Sequence, residues 1–282
     1  MARHNIVSIF GMIVGDPTII KDRDTGEYKK GLANIILVRG ERKVGDSTDD
    51  DGSLRYDRPM LFSGNPEIIA KMENLKQNDL VEIKGFLTTM NISKKTTCTH
   101  CGTTNSAPGT MTFISPIYLD IRKTDSTQRD SLIELKEHME ISNQVLLIGN
   151  LCDEVKYYKE RGFHESLYQL AVNRKFYLND GMANIRTDYP FVRSFGENAE
   201  LDAKSLYKGS CVLVDGRIHT RSYSRASACQ NPNCGEEYLW TDNTIEVIPY
   251  SVEYLQNYHT AEDLERMEKE ELDRIKKNVF SS

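Results

Sequence analysis

Apolar and polar residues alternate in short runs over most of this chain, and residues that favour turns separate the runs. Successive side chains of a β-strand point to opposite faces, so alternation with a period of two predicts strands with one buried face. The runs are rich in Val, Ile and Tyr, which favour strands. Examples are Val145 with Leu147, Val212 with Val214, and Ile245 with Val247.

Two segments, residues 65–75 and 197–206, have the composition of helices instead, and each lies between the third and fourth strands of its half of the chain. Four or five strands with one helix before the fourth are typical of the OB fold, a small β-barrel. A β-sandwich is the alternative, but it does not require this helix.

The two halves of the chain repeat the same landmarks in the same order, at an offset of roughly 130 residues. Each half begins with a strand that starts at Asn and contains Gly, followed later by a turn that leads into a new strand. A hairpin with two cysteines comes next, and a strand that contains Pro closes the half. We therefore predict a mainly β protein with two tandem five-stranded OB barrels, at residues 4–122 and 142–256. The matching segments are 5–15 with 143–151, 76–87 with 207–218, 98–102 with 229–235, and 113–121 with 245–255.

Two polar segments lie outside the barrels. Residues 123–141 form a predicted linker with a short helix around Ser131–Met139, and residues 257–282 form a charged tail. In the tail, Leu264, Met267, Leu272 and Ile275 share one face of an amphipathic helix. We expect this face to pack on its own domain, the alternative being a partner or a second copy.

The composition narrows the class of protein. The chain has 282 residues, of which 39% are hydrophobic, enough for two domains to bury cores. No apolar run can span a bilayer and the first residues lack a secretory pattern, so we expect no membrane association and a cytoplasmic location. The net charge of −6 mildly disfavours nucleic acid as a partner, but local charge at a contact face matters more than the sum.

Several segments of the second half resemble the bacterial single-stranded DNA-binding protein family. They are NQVLLIGNL (143–151), LAVNRKF (170–176), TDYPFVRSFGENAE (187–200), YKGSCVLVDGRIHTRSY (207–223) and VEYL (252–255). The first half is similar more loosely, at 5–17, 32–39 and 80–89. The resemblance implies single-stranded DNA binding without catalysis, in replication, recombination or DNA transfer. Because the family commonly gathers four OB domains, it also implies a homodimer.

Aromatic residues of the second half lie beside basic ones, a combination that suits stacking of unpaired bases and contact with phosphates. By the resemblance, Tyr189, Phe195 and Tyr223 fall where the family places its stacking rings, and Phe176 or Tyr177 falls near another. The basic residues expected beside them are Arg174, Lys175, Arg193, Arg217, Arg221 and Arg225.

The alternative for each ring is burial in a core, which is the commoner fate of an aromatic residue in an alternating strand. Phe191 and Phe195 share one face of their strand. If that face lies in the core, Phe195 is a packing residue and not a stacking ring. Trp240 is a further candidate ring on the return strand of the last hairpin. In the first half Ile92 falls at the Tyr223 position and Ser63 at the Phe195 position, which predicts a degenerate copy that binds more weakly.

The two cysteine hairpins predict a metal site. Cys98 and Cys101 lie in one hairpin, and Cys229 and Cys234 in the equivalent hairpin of the second half. A structural zinc ion prefers four ligands in a tetrahedron, so we predict one shared site that fixes the two domains. The alternatives are free thiols, one disulfide in each hairpin, a redox pair, or a zinc ion that bridges two chains. His100 is a less favoured ligand, because it lies between the two cysteines of its hairpin.

The sequence contains none of the enzyme motifs that could be sought, including phosphate loops, HExxH, and GxSxG. Two other functions stay open, namely an OB-fold scaffold for replication or recombination proteins and a binder of single-stranded RNA. The tail ends in a charged helix where the family usually has a flexible linker with an acidic tip and terminal Pro-Phe. The resemblance therefore does not carry the docking of partner enzymes over to this tail.

Overall fold

The computed structural model describes residues 4–39, 54–175 and 187–280. The first half forms a closed barrel in which β1 pairs with β2 and β5, β2 with β4, β4 in parallel with β6, and β6 with β5. This is the OB topology, with α1 between the third and fourth barrel strands. The elements are β1 (His4–Lys21), β2 (Tyr28–Val38), β3 (Tyr56–Asp57), β4 (Met60–Ser63), α1 (Pro66–Glu73), β5 (Leu80–Thr97) and β6 (Thr104–Lys123).

The linker contains helices α2 (Gln128–Glu137) and α3 (Met139–Ser142). The Thr127 hydroxyl caps α2 by accepting a hydrogen bond from the Asp130 N–H at 3.2 Å. Leu135 is fully buried against Phe10 and Met12 of the first barrel. The predicted linker helix is therefore present, and it packs on the outer side of β1.

The second half repeats the barrel, with β7 paired to β9 and β12, β9 to β11, β11 in parallel with β13, and β13 to β12. The predicted fold class of two tandem OB barrels is confirmed. The elements are β7 (Asn143–Leu151), β8 (Lys156–Glu160), β9 (Phe163–Asn173), β10 (Thr187–Asp188), β11 (Phe191–Phe195), α4 (Gly196–Ser205), β12 (Leu206–Ala228), β13 (Glu237–Tyr258) and the tail helix α5 (Ala261–Phe280).

The tail helix does not bury its apolar face as expected. Met267, Leu272 and Ile275 are 46%, 56% and 51% exposed, so the expectation that this face packs on its own domain is wrong. The physical reason is that α5 leaves the barrel after β13 and presents these side chains to solvent. Among the described helices, none has the length and apolar content needed to cross a membrane.

The barrels join edge to edge through their first strands. β1 and β7 pair antiparallel, with Asn5 opposite Leu147 and Ile9 opposite Asn143, so a pseudo-twofold axis relates the halves. The Asn5 side chain donates to the Leu87 carbonyl at 2.8 Å and accepts from the Leu87 N–H at 2.8 Å. Asn143 makes the same pair of bonds with Ile218, at 2.9 and 2.8 Å. This explains why each repeat begins with Asn.

A second repeated feature is the glycine in the fourth barrel strand. A Cβ atom on Gly85 would lie 2.3 Å from the Ser115 carbonyl oxygen, and one on Gly216 would lie 2.4 Å from the Ile248 carbonyl oxygen. Both positions adjoin a register shift in their hairpin. Only glycine permits this close approach of two backbones, so the residue recurs in both halves.

Candidate functional site

The outward face of β11 carries two exposed or half-exposed rings. Val192 is fully buried in the barrel core, so its neighbour Phe191 points outward, and Phe195 shares the side of Phe191. Phe195 is 40% exposed. Phe195 therefore does not lie in the barrel core.

The same face continues onto the long hairpin formed by β12 and β13. Phe191 lies opposite Glu246 of β13, and Glu246 lies opposite His219 of β12, so these three side chains point outward. Residues two or four positions from each of them on the same strand share this outward side. We call this outward side of β11, β12 and β13 the ring face. Besides Phe191 and Phe195 it carries Arg193, Arg221, Tyr223, Arg225, Trp240, Asp242 and Thr244.

Two arginines cover the hairpin rings. The Arg221 guanidinium carbon lies 5.1 Å from the centre of the Tyr223 ring, and that of Arg225 lies 5.3 Å from the centre of the Trp240 ring. The Tyr223 hydroxyl donates to Asp242 at 3.2 Å, which fixes the ring by its edge. Such cation–π pairs combine an aromatic surface with positive charge, the two features that bind nucleotides.

A groove of about 520 Å³ lies between the ring face and the hairpin of the first barrel. Phe191, Tyr223, Arg225 and Thr244 line one side of this interdomain groove. The other side consists of Asn91, Ile92, Pro108, Gly109, Thr110 and Thr112 from β5 and β6. Both halves of the chain therefore shape the space next to Tyr223.

Tyr189 is held at the junction of the barrels and is 44% exposed. Its N–H donates to the Thr89 hydroxyl at 2.8 Å, while Asp188 accepts from the Thr89 N–H at 3.0 Å. The pseudo-twofold axis repeats these bonds, because the Arg58 N–H donates to the Thr220 hydroxyl at 3.0 Å. Arg58 thus occupies the position in the first half that Tyr189 occupies in the second.

The first barrel lacks most of the rings found in the second. Strand register places Ile92 at the Tyr223 position and Lys94 at the Arg225 position. Ser63 corresponds to the buried Ser194 and not to Phe195, because the two serines pair with equivalent positions on the second barrel strands. The substitution of aliphatic and basic residues for rings supports the prediction of a weaker first copy.

Two of the predicted phosphate contacts have structural partners instead. Arg174 is 3% exposed and lies 3.4 Å from Asp188, and Arg193 is 7% exposed between Glu246, at 2.6 Å, and Glu165. Desolvation opposes ionisation of Glu246, but hydrogen bonds from Arg193 and Arg221 lower the pKa of Glu246 below its usual value. The guanidinium groups of Arg174 and Arg193 are therefore buried beside carboxylates and are less accessible than the prediction of phosphate contacts requires.

The other predicted basic residues are more accessible or lie elsewhere. The side chains of Arg221 and Arg225 are 38% and 34% exposed on the ring face, and Lys175 is exposed. Arg217 is 16% exposed and lies 3.7 Å from Asp57, at the contact between the barrels. Phe176 and Tyr177 lie outside the described residues.

Two exposed rings were not predicted from the sequence. Tyr158 on β8 and Phe163 on β9 are each 56% exposed, and the Phe163 ring centre lies 5.8 Å from that of Phe195. Arg161 and Gly162 both have positive φ values, of 49° and 83°, and form the turn between the two strands. An Arg-Gly turn between short aromatic runs is the signal that identifies this hairpin from sequence.

The four hairpin cysteines meet in space, as the repeat predicts. Cys98 Sγ lies 4.0 Å from Cys234 Sγ, Cys101 Sγ lies 3.5 Å from Cys229 Sγ, and all four sulfur atoms lie within 4.8 Å of one another. Tetrahedral zinc with bonds of about 2.3 Å requires sulfur atoms about 3.8 Å apart. The four thiols therefore fit one structural metal ion.

The tips of the hairpins are also held by hydrogen bonds beside the cysteines. The buried Tyr238 hydroxyl lies 2.6 Å from Thr96 Oγ1 and accepts from the Asn105 amide at 3.0 Å. Asn105 in turn accepts from the Gln230 N–H at 2.9 Å. The His100 ring nitrogen lies 3.1 Å from the Glu237 carbonyl oxygen, which directs it away from the ligand role considered for a histidine in this hairpin.

The electrostatics of the four thiols also favour a cation. Hydrogen bonds from the Thr103 side chain and backbone lower the pKa of Cys101 to about 6. A bond from the Glu236 N–H favours the Cys234 thiolate, yet desolvation and the neighbouring thiols raise the pKa of Cys234 to about 12. Four adjacent sulfur atoms cannot all ionise unless a positive charge lies between them.

The fold and site define a tandem OB-fold protein whose second barrel carries the ring face. The model of the Single-strand binding protein family matches residues 142–232. The Bacillus subtilis Single-stranded DNA-binding protein B is 40% identical over 82 residues, 29% of this chain and 71% of that protein. The Helicobacter hepaticus Single-stranded DNA-binding protein is 34% identical over 89 residues, 31% of this chain and 52% of that protein.

The chain belongs to the single-strand binding protein family. It spans about half the length of several curated relatives, 52% and 53% in the proteins of Helicobacter hepaticus and Wolinella succinogenes. The crystal structure of the single-stranded DNA binding protein from Thermus aquaticus matches with a TM-score of 0.54 and 19% identity. That match covers 91% of this chain and 95% of the Thermus chain, so the tandem fold extends over both halves.

Proposed function

We propose that this chain binds single-stranded DNA without sequence preference and without catalysis. The observation that carries the proposal is the ring face, where Tyr223 and Phe191 line the interdomain groove beside Arg225. Unpaired bases stack on exposed aromatic surfaces, and each stacked base contributes roughly 1–3 kcal/mol. Cations beside the rings attract phosphates, which adds a term that depends on salt.

The test is a fluorescence titration of the intact protein with oligo-dT of increasing length. Trp240 packs against Arg225 on the ring face, so its emission reports on a strand bound there. We expect saturable binding of oligo-dT, weaker binding of duplex DNA of the same length, and affinity that falls as salt rises. Equal affinity for duplex and single strands would contradict the proposal, and competition by poly-U distinguishes an RNA binder.

We infer that Cys98, Cys101, Cys229 and Cys234 bind one structural zinc ion. The ion would supply no catalysis, because four protein ligands leave no open position for a substrate. Its role would be to link the tips of the two long hairpins. The interdomain groove lies between these hairpins, so the link would also fix the groove's width.

We also propose that two copies of the chain associate through the outer face of the joined sheets. Leu146 lies opposite Ile6 and Ile148 lies opposite Leu213, so these four aliphatic side chains share one outward face. Ile6 is 42% exposed and the other three are half-buried. A second copy would cover this face and bring four OB barrels together.

Light scattering should therefore give about twice the chain mass of 32.2 kDa. The variant Leu146→Glu should shift the protein to monomers, because it places a charge in the centre of the apolar face. The variant Asn198→Glu changes an exposed position on α4, outside this apolar face, and serves as the control. A wild-type monomer at micromolar concentration would reject the dimer.

A further inference from the structure

The hairpin β8–β9 adds an apolar aromatic surface to the edge of the ring face. Tyr158 lies opposite Glu165, and Glu165 lies opposite Phe195, so the three side chains form one row across three strands. Phe163 is two residues before Glu165 and shares its side. We call Tyr158, Phe163 and Phe195 the edge patch.

The edge patch is continuous with the surface that lines the interdomain groove. Phe191 and Phe195 are four residues apart on one face of β11, a separation of about 13 Å. Tyr158 lies two strands away from Phe195, which adds about 10 Å across the sheet. A strand that leaves the groove along β11 therefore meets Phe195 first, then Phe163 and Tyr158.

The charges on this surface roughly cancel, so stacking and not charge would attract a strand here. Glu165 lies between Tyr158 and Phe195, but it forms a salt bridge with Arg193 that offsets its negative charge. Lys156 is exposed and shares the outward side with Tyr158. Glu160 lies at the end of the hairpin opposite Phe163, beyond the row of rings.

The first barrel shows that the fold does not require a ring at the Tyr158 position. It keeps a ring, Tyr28, at the Phe163 position, where Glu73 and Lys21 hold it. Ile20 lies opposite Lys30 in the position equivalent to Tyr158 opposite Glu165. Three exposed rings grouped on one side of the sheet form an apolar patch, and patches of this kind commonly mark a binding surface.

We propose that the edge patch is a second stacking subsite, where Phe163 and Tyr158 bind nucleobases of the strand that leaves the interdomain groove. The proposal rests on the proposed binding of single-stranded DNA. It predicts that substitutions in the edge patch lower the affinity for long oligonucleotides. The affinity for short oligonucleotides, which occupy only the groove, should not change. The tilt of 47° between Phe163 and Phe195 leaves no parallel slot between them, so bases stack on their outer surfaces.

The test compares the double variant Tyr158→Ala/Phe163→Ala with wild type on short and long oligo-dT. We expect a loss of at least roughly 30-fold in affinity for the long oligonucleotide and no change for the short one. The control is Ile20→Ala, at the equivalent place in the first barrel. A second reporter is Phe163→Trp in a Trp240→Phe background, whose emission should be quenched by long oligo-dT alone.

The outcomes separate the two proposals. If wild type binds oligo-dT and the double variant binds long oligonucleotides equally well, the subsite is overturned and the groove proposal stands. An unquenched Phe163→Trp reporter overturns it too, because no base then stacks on this ring. Failure of the wild type to bind any single strand overturns both.

Discussion

The double variant Cys98→Ser/Cys229→Ser is expected to contain no zinc, whereas the wild-type chain should contain one ion. These two residues are the most buried of the four ligands, at 1% and 8% exposed. Serine removes the thiolates that bind zinc, so the ion can no longer join the hairpins. At a thousandfold excess of metal over its dissociation constant, a bound ion stabilises the folded state by about 4 kcal/mol.

The measurements are elemental analysis and thermal unfolding with and without a chelator. The matched control is Cys152→Ser, because this cysteine lies on the second barrel away from the hairpin tips. The control should keep its zinc and its sensitivity to the chelator. Reduced wild-type protein that is purified without chelators and contains no zinc would end the proposal.

Loss of the ion should also weaken DNA binding. Beyond the cysteines, the hairpins are joined by Tyr238 with Thr96, by Asn105 with Gln230, and by the salt bridge from Lys94 to Asp242. These contacts keep the hairpins near each other without metal. The expected result is therefore a wider groove and a lower affinity for single-stranded DNA, and not a complete loss of DNA binding.

The repeat made much of this architecture predictable. Asn5 with Asn143 and Gly85 with Gly216 recur because a particular backbone contact requires each of them. The cysteine pairs could be assigned to one site because they occupy equivalent places in the repeat. The sequence thus predicted the fold and the metal site at positions where only one or two residue types can make the required contact.

The ion-pair partners of the buried arginines could not be predicted from the sequence. Arg174 and Arg193 lie beside aromatic residues in sequence, which suggested contact with phosphate. Their partners Asp188 and Glu246 are 14 and 53 positions away in the sequence. The pairs form only once β10 and β13 have taken their places in the folded second barrel. Tyr158 and Phe163 were missed for a related reason, because the strand register that places them beside Phe195 is a tertiary property.

The second large effect is expected from the triple variant Tyr189→Ala/Phe195→Ala/Tyr223→Ala. Each ring contributes roughly 1–3 kcal/mol if one base stacks on it. Even with incomplete additivity, affinity for oligo-dT should fall by at least about a hundredfold. The slope of log affinity against log salt should change little, because the cations that contact phosphates remain.

The pseudo-twofold axis supplies a matched control for this variant. Arg58→Ala/Ile92→Ala alters the first-half positions equivalent to Tyr189 and Tyr223. Its effect should be smaller, because neither residue offers a ring for stacking. Tyr223→Phe should bind nearly as well as wild type, since it loses only the hydrogen bond to Asp242. Equal losses from the two variants would contradict the prediction that the first barrel binds more weakly.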